Sequence, residues 1–325
     1  MKNNNLNSIR LILALIVFIY HFCTLNHIQY YKYIPAKFAV YSFFSISGFL
    51  IINSWCENRN VRKFVISRIS RLYPLYFIVI LSFFFVGGVL YNGSYLSFIQ
   101  TGGGEYLKFN LFFLNFIHPS LPELFSNNNI TAVNGSLWTL KIEVMFYILV
   151  PVLFFSRKIN SKILTGLFFL CSVLIGKIIA YFVFYYNLPL QINHQLPSLI
   201  AYFLMGYLVL SSKFDIKVII ILIPLSSIGY YYEVYSLSAL YVALMVYVIV
   251  FKLPVIKIPT KIGDLSFGLY VWHFPIIQLF IMFDFYKKYG LIIGVIISLL
   301  VVLILSFFSW HCIEKPALKY SKKLY

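Results

Sequence analysis

Apolar runs of bilayer-spanning length recur from one end of this 325-residue chain to the other. A helix rises about 1.5 Å per residue, so roughly 20 apolar residues cross a hydrocarbon core of about 30 Å. Only 11% of the residues are charged and 61% are hydrophobic, whereas a soluble domain carries about 25% charge. The sequence therefore reads as an all-α, polytopic integral membrane protein. Ten spans are expected, at about 9–25, 38–55, 73–91, 138–156, 163–184, 196–211, 216–232, 236–251, 267–284 and 290–310. The shortest break between them is SSKFDIK, near 211–217.

The net charge is +17, a value that also suits a nucleic-acid binder, but its distribution argues against one. Lys and Arg gather on one alternating set of loops, with nineteen on one side and five on the other; Lys141 and Lys177 fall within spans. That is the positive-inside pattern of membrane topology rather than a basic face for phosphodiesters. It places both termini in the cytoplasm and the chain in the cytoplasmic membrane. The apolar N-terminal run has no small-residue cleavage site, so it reads as a retained first helix.

The whole chain, 1–325, reads as one transmembrane domain without internal repeats. Its external loop, about 92–137, contains a piece from Tyr106 to Ile117 that is too short to span and suits an interfacial or re-entrant segment. The NGS and NIT triplets in this loop match glycosylation acceptors, a weak pattern. Cys23, Cys56, Cys171 and Cys312 show neither CxxC nor metal spacing, so neither a disulfide framework nor a metal site is expected.

Strongly polar residues are rare inside the spans, and those present need a task or a buried partner. They are His21, Lys141, Glu143, Lys177 and His273, with Arg68 and Arg71 at an inner edge. Counting about 1.5 Å per residue, Glu143, His21 and His273 fall at about 8, 12 and 16 Å below the outer face. They could share one polar cavity, in which Glu143 serves His21. Trp138 reads as an interface anchor. Arg68 and Arg71, three apart before Pro74, make a fork suited to phosphate oxygens, or serve as ordinary positive-inside anchors.

In this order the motifs resemble membrane-bound acyltransferase family 3, whose members O-acylate cell-surface carbohydrates among other acceptors. IRLILALIVFIYH resembles the family's opening helix, with Arg10 and the catalytic-type His21. FFSISGFLI, which contains Ser47, resembles the second-helix signature, and RISRLYPLY the R-x-x-R-x-x-P element. SLWTLKIEVMFY supplies Trp138 and Glu143, and GDLSFGLYVWHFPI supplies Ser266, Tyr270 and His273; EKP matches a common ending. Many relatives carry an extra external hydrolase-like domain that is not found here, so the expectation is direct acylation of the acceptor or hand-over to a separate extracytoplasmic partner protein.

The resemblance implies acyl-CoA, by family frequency acetyl-CoA, as co-substrate, with no resident cofactor. Cytoplasmic CoA would meet Arg68 and Arg71, with Arg10 nearby. Its thioester would reach His21, the general base on a hydroxyl of an extracytoplasmic carbohydrate, with Glu143 orienting the imidazole. Trp138, Tyr270, His273 and Ser47 would support or line the channel. A transporter of polysaccharide or lipid-linked sugar would also use intramembrane His and Glu, yet paired Gly/Pro-broken helices and inverted repeats are not evident.

Overall fold

A computed structural model describes residues 4–156, 160–188, 196–256, 259 and 261–324. Among these residues regular structure is helical throughout and no strand occurs. Each expected span is realised as a helix: α1 (Leu6–Leu25), α2 (Ala36–Asn58), α3 (Val61–Leu90), then two short loop helices, α4 (Tyr95–Phe98) and α5 (Gly104–Leu111). The chain continues through α6 (Trp138–Leu153), α7 (Ser161–Tyr185), α8 (Leu196–Leu210), α9 (Ile216–Tyr231), α10 (Tyr235–Phe251) and α11 (Ser266–Met282). It ends with α12 (Phe285–Tyr289), α13 (Leu291–Ser309) and α14 (Lys315–Ser321).

Six described segments are long and apolar enough to cross a bilayer by length and composition: Leu6–Leu25, Ala36–Glu57, Val61–Leu90, Gly135–Leu153, Ser161–Tyr185 and Leu291–Ser321. The apolar helices α8 to α11 are shorter, at 15 to 17 residues. At about 1.5 Å per residue they are shorter than the hydrocarbon thickness of about 30 Å. The chain is a multi-pass membrane protein.

Two boundaries differ from expectation. Helix α3 begins at Val61 rather than near 73, so Arg68 and Arg71 lie inside a helix that runs on through Pro74. Lipid leaves a backbone no better option than helix, so the apolar run carries the helical form through the proline. In the 92–137 loop, α5 ends at Leu111, short of the Ile117 end of the expected interfacial or re-entrant segment, and Phe113 takes a positive φ of 62°. The short break near 211–217 is real: Asp215 caps α9 by accepting from the Lys217 amide at 2.9 Å.

The chain divides into two compact units whose boundaries fall within α1, α3 and α6. The first comprises Met1–Leu13, Lys37–Phe64 and Ile142–Lys257. In it α2 meets α8 through small residues. A Cβ on Gly48 would strike the Phe203 carbonyl, and one on Gly206 would strike the Ser45 backbone. Small residues let helices approach where the hydrophobic effect cannot drive them together. Helix α7 shows the inverted pattern that follows: Thr165, Ser172 and Gly176 are on its buried side, while Leu170, Leu174 and Ile178 are exposed. Asn5 fastens the N-terminal segment to the residues after α10, donating to the Ile249 and Pro254 carbonyls and accepting from the Ile256 amide.

The second unit comprises Ala14–Ala36, Val65–Lys141 and Ile258–Tyr325. Helices α11 and α13 pack along Gly294, Ser298, Val302, Ser306 and Ser309, the buried stripe of α13. A Cβ on Gly268 would lie 2.8 Å from the Cα of Ser306, and the Trp272 indole donates to Ser309 Oγ at 2.9 Å. Residues 92–137 belong to this unit and are tied to α11. Asn128 donates to the Gln278 side chain at 2.9 Å, and Gln278 Nε2 donates to the carbonyls of Ile130 and Ala132.

Candidate active site

Two imidazoles meet in the second unit. His21, near the C-terminal end of α1, and His273, at the middle of α11, have Nδ1 and Nε2 respectively 2.8 Å apart. The ring planes differ by 26° and the centroids are 5.0 Å apart, so the contact runs along the rings rather than across their faces. His273 is fully buried and His21 partly so. Phe274 closes edge-on at 5.2 Å and Tyr20 at 5.4 Å from His21.

The hydrogen bonds fix which nitrogen carries which proton. His273 Nδ1 lies 3.1 Å from the Leu269 carbonyl, which only accepts, so Nδ1 holds the hydrogen. In the neutral ring Nε2 is then the acceptor, and His21 must donate to it from Nδ1. This leaves the lone pair of His21 on Nε2. A backbone carbonyl thus sets the tautomer of one ring, which sets that of the next, as an orienting partner does for a catalytic histidine.

The loop before α6 is stapled to α11 beside this pair. Asn134 donates to the Val271 carbonyl at 2.8 Å, Tyr270 donates to the Ser136 carbonyl at 3.1 Å, and the Thr139 and Tyr270 hydroxyls lie 2.6 Å apart. A Cβ on Gly135 would press on the Phe274 ring at 2.8 Å, so glycine lets the loop seat there. Asn134 is buried and committed to this bond, which makes the NGS triplet at 134–136 a structural element rather than a modification site.

At the other end of α11, Asp264 accepts from the Ser266 amide and hydroxyl, and with its second oxygen from Arg71 at 2.6 Å. Arg71 also lies 3.8 Å from buried Glu314 and 5.8 Å from the Trp310 ring centre. The arginine anticipated as half of a phosphate fork is therefore braced by two carboxylates. Arg68 donates to Ser67 Oγ at 3.3 Å. Lys141, unexplained by sequence, stands 4.3 Å over the Phe116 ring.

Arg10, Ser47 and Glu143 belong to the first unit, and all three are partly buried. Glu143 accepts from the Tyr147 hydroxyl, one turn along α6, at 2.6 Å. Trp138, the first residue of α6, is half-buried and belongs to the second unit. Sequence reasoning gave His273 only a channel-lining part and assigned nothing to Asp264 or Glu314. Asp264 and Glu314 lie 193 and 243 residues from Arg71 in the chain, beyond the reach of any local pattern.

A tautomer-fixed imidazole pair held between two apolar helices of a multi-pass membrane protein is an arrangement suited to proton transfer within an apolar setting. The chain belongs to acyltransferase family 3: residues 3–311 match its acyltransferase domain. Among curated proteins it is similar to an O-acetyl transferase of Shigella phage Sf6, with 27% identity over 97% of this chain and 96% of that protein. A protein of the Acidianus two-tailed virus, provisionally named an acetyltransferase, is 23% identical over 88% of this chain and 84% of its own length. No solved structure matches the chain.

Proposed function

We propose that the protein transfers an acetyl group from cytoplasmic acetyl-CoA to a hydroxyl of an extracytoplasmic carbohydrate, with His21 as general base. The observation that carries this reading is the Leu269–His273–His21 relay, which leaves a lone pair on His21 Nε2. Membership of the acyltransferase family and the name of the phage relative supply the reaction class.

In this mechanism His21 Nε2 takes the proton of the acceptor hydroxyl as its oxygen attacks the thioester carbonyl. The tetrahedral intermediate collapses, the C–S bond breaks, and the imidazolium returns its proton to the leaving thiolate. The products are the O-acetyl ester and free CoA thiol, and His21 is restored. His273, neutral and accepting from His21 Nδ1, holds the ring in the basic tautomer throughout. Such positioned proton transfer is worth about 10²- to 10⁴-fold in rate. Glu143 is a second catalytic candidate on its motif, held by Tyr147.

Arg10, Arg68 and Arg71 are the proposed contacts for the CoA phosphates. Arg71 would act from a guanidinium whose direction Asp264 and Glu314 fix, although they offset part of its charge. Trp138, Tyr270 and Ser47 are proposed to support the channel; Tyr270 does so by fastening the 134–139 loop. The charge distribution supports both termini being cytoplasmic.

The test is CoA thiol release from acetyl-CoA by protein in nanodiscs, with a cell-envelope polysaccharide extract as acceptor. Wild type should release thiol only with acceptor present. The double variant Arg68→Ala/Arg71→Ala should raise KM for acetyl-CoA about tenfold or more, the loss of one charge-assisted contact of about 1.5–3 kcal/mol. If the variant keeps the wild-type KM, those arginines do not hold the donor.

A further inference from the structure

The first unit contains a cavity of about 540 Å³ that the acyl-transfer chemistry does not use. It lies where the N-terminal ends of α2 and α10 and the middle of α8 meet the C-terminal end of α9. Its wall includes Tyr41, Tyr202, Tyr230, Tyr231, Tyr235 and Tyr241. Lys37 and Glu233 pair at its edge, and Ser227 and Ser238 complete the lining. Tyr41 and Tyr202 are buried and stacked with centroids 3.9 Å apart, while Tyr231 is 79% exposed at the lip.

Every one of these side chains carries a hydrogen-bonding group, and six of them also offer an aromatic face. A lipid tail would make no use of this polar lining. A nucleotide or another polyanion would find one ammonium already neutralised by a carboxylate. A neutral polyhydroxylated ring uses both properties, stacking its C–H face on tyrosine and exchanging hydrogen bonds with the phenols. The Lys37–Glu233 pair is exposed to water, which screens it, so it can turn to a ligand's hydroxyls at little cost. The volume lies within the 300–1,000 Å³ typical of small-molecule sites, roughly enough for one or two sugar rings.

We propose that this tyrosine cup is a binding site for a neutral sugar unit. It deepens the function proposed above and rests on that reading, because the charge-based topology turns the cup to the side from which a carbohydrate acceptor arrives. Its role is to hold a segment of the glycan.

The experiment is saturation-transfer NMR on the full chain in nanodiscs with four probes: the methyl glycosides of glucose, mannose, rhamnose and N-acetylglucosamine. Wild type should receive transfer to at least one probe. Tyr231→Ala, at the exposed lip, and Tyr41→Phe, which removes only a buried hydroxyl, should each weaken that probe's binding by about tenfold, equivalent to about 1.4 kcal/mol. His21→Ala should bind the probe as wild type does. Absence of transfer for all four probes overturns the proposal, and so does transfer unchanged in both tyrosine variants. Thiol release, measured separately, keeps the two claims apart. Turnover without sugar binding refutes the cup alone, and sugar binding without turnover refutes the acyl-transfer reading alone.

Discussion

At the scale of single residues, the site depends on a proton inventory. The Leu269 carbonyl accepts, so His273 presents an acceptor and His21 presents a base. His273→Gln can keep an acceptor oxygen near the place of Nε2, whereas His273→Phe fills the same space without one. Acetyl transfer by the Phe variant should fall about 10²-fold in kcat with KM for acetyl-CoA little changed, and the Gln variant should recover part of it. Equal losses in both variants would show that the ring fills space rather than setting a tautomer. The presence of both histidines was legible in sequence because each interrupts an apolar run. Their pairing was not, since 252 residues separate them and the depth count resolves only several ångströms.

At the scale of elements, the long apolar helices were legible from hydropathy, because in lipid an apolar run of that length has no satisfied alternative to a helix. Which face packs was less legible. On α13 the buried stripe is glycine and serine apart from Val302, and the exposed residues are aliphatic or aromatic, the reverse of a soluble helix. Amphipathic periodicity therefore does not report the core here, and the α3 start was missed because charged residues mark a membrane edge, not a helix end. Close approach gives the testable consequence. Gly268→Ala drives a Cβ against the Ser306 backbone and should lower thermal stability by about 1–3 kcal/mol. Gly166→Ala, in α7 with nothing within 4 Å of the added carbon, should be neutral or stabilising by up to about 1 kcal/mol. A thermal unfolding comparison in one detergent reads both; equal midpoints would contradict the packing account.

At the scale of the whole molecule, the distribution of Lys and Arg is the basis of the proposed direction of the chain. In a background lacking Cys23, Cys56, Cys171 and Cys312, a cysteine at exposed Asn129 should react with an impermeant maleimide from outside intact cells. One at Lys322 should react only after the membrane is opened. The opposite result would reverse the direction of donor and acceptor, and with it the assignment of Arg68 and Arg71 to a cytoplasmic thioester. In the proposed mechanism, directionality gives His21 its purpose: a base set deep in apolar helices would let a donor from one side and an acceptor from the other meet away from bulk water, where hydrolysis would compete.

The most direct test of that claim follows labelled acetyl from acetyl-CoA into polysaccharide, using wild type and His21→Ala in equal folded amounts, verified by size exclusion in nanodiscs. Wild type should label the glycan with one free thiol per acetyl group, and His21→Ala should lose about 10²-fold or more of that rate. Labelling by the variant at the wild-type rate would remove His21, and the relay behind it, from the chemistry.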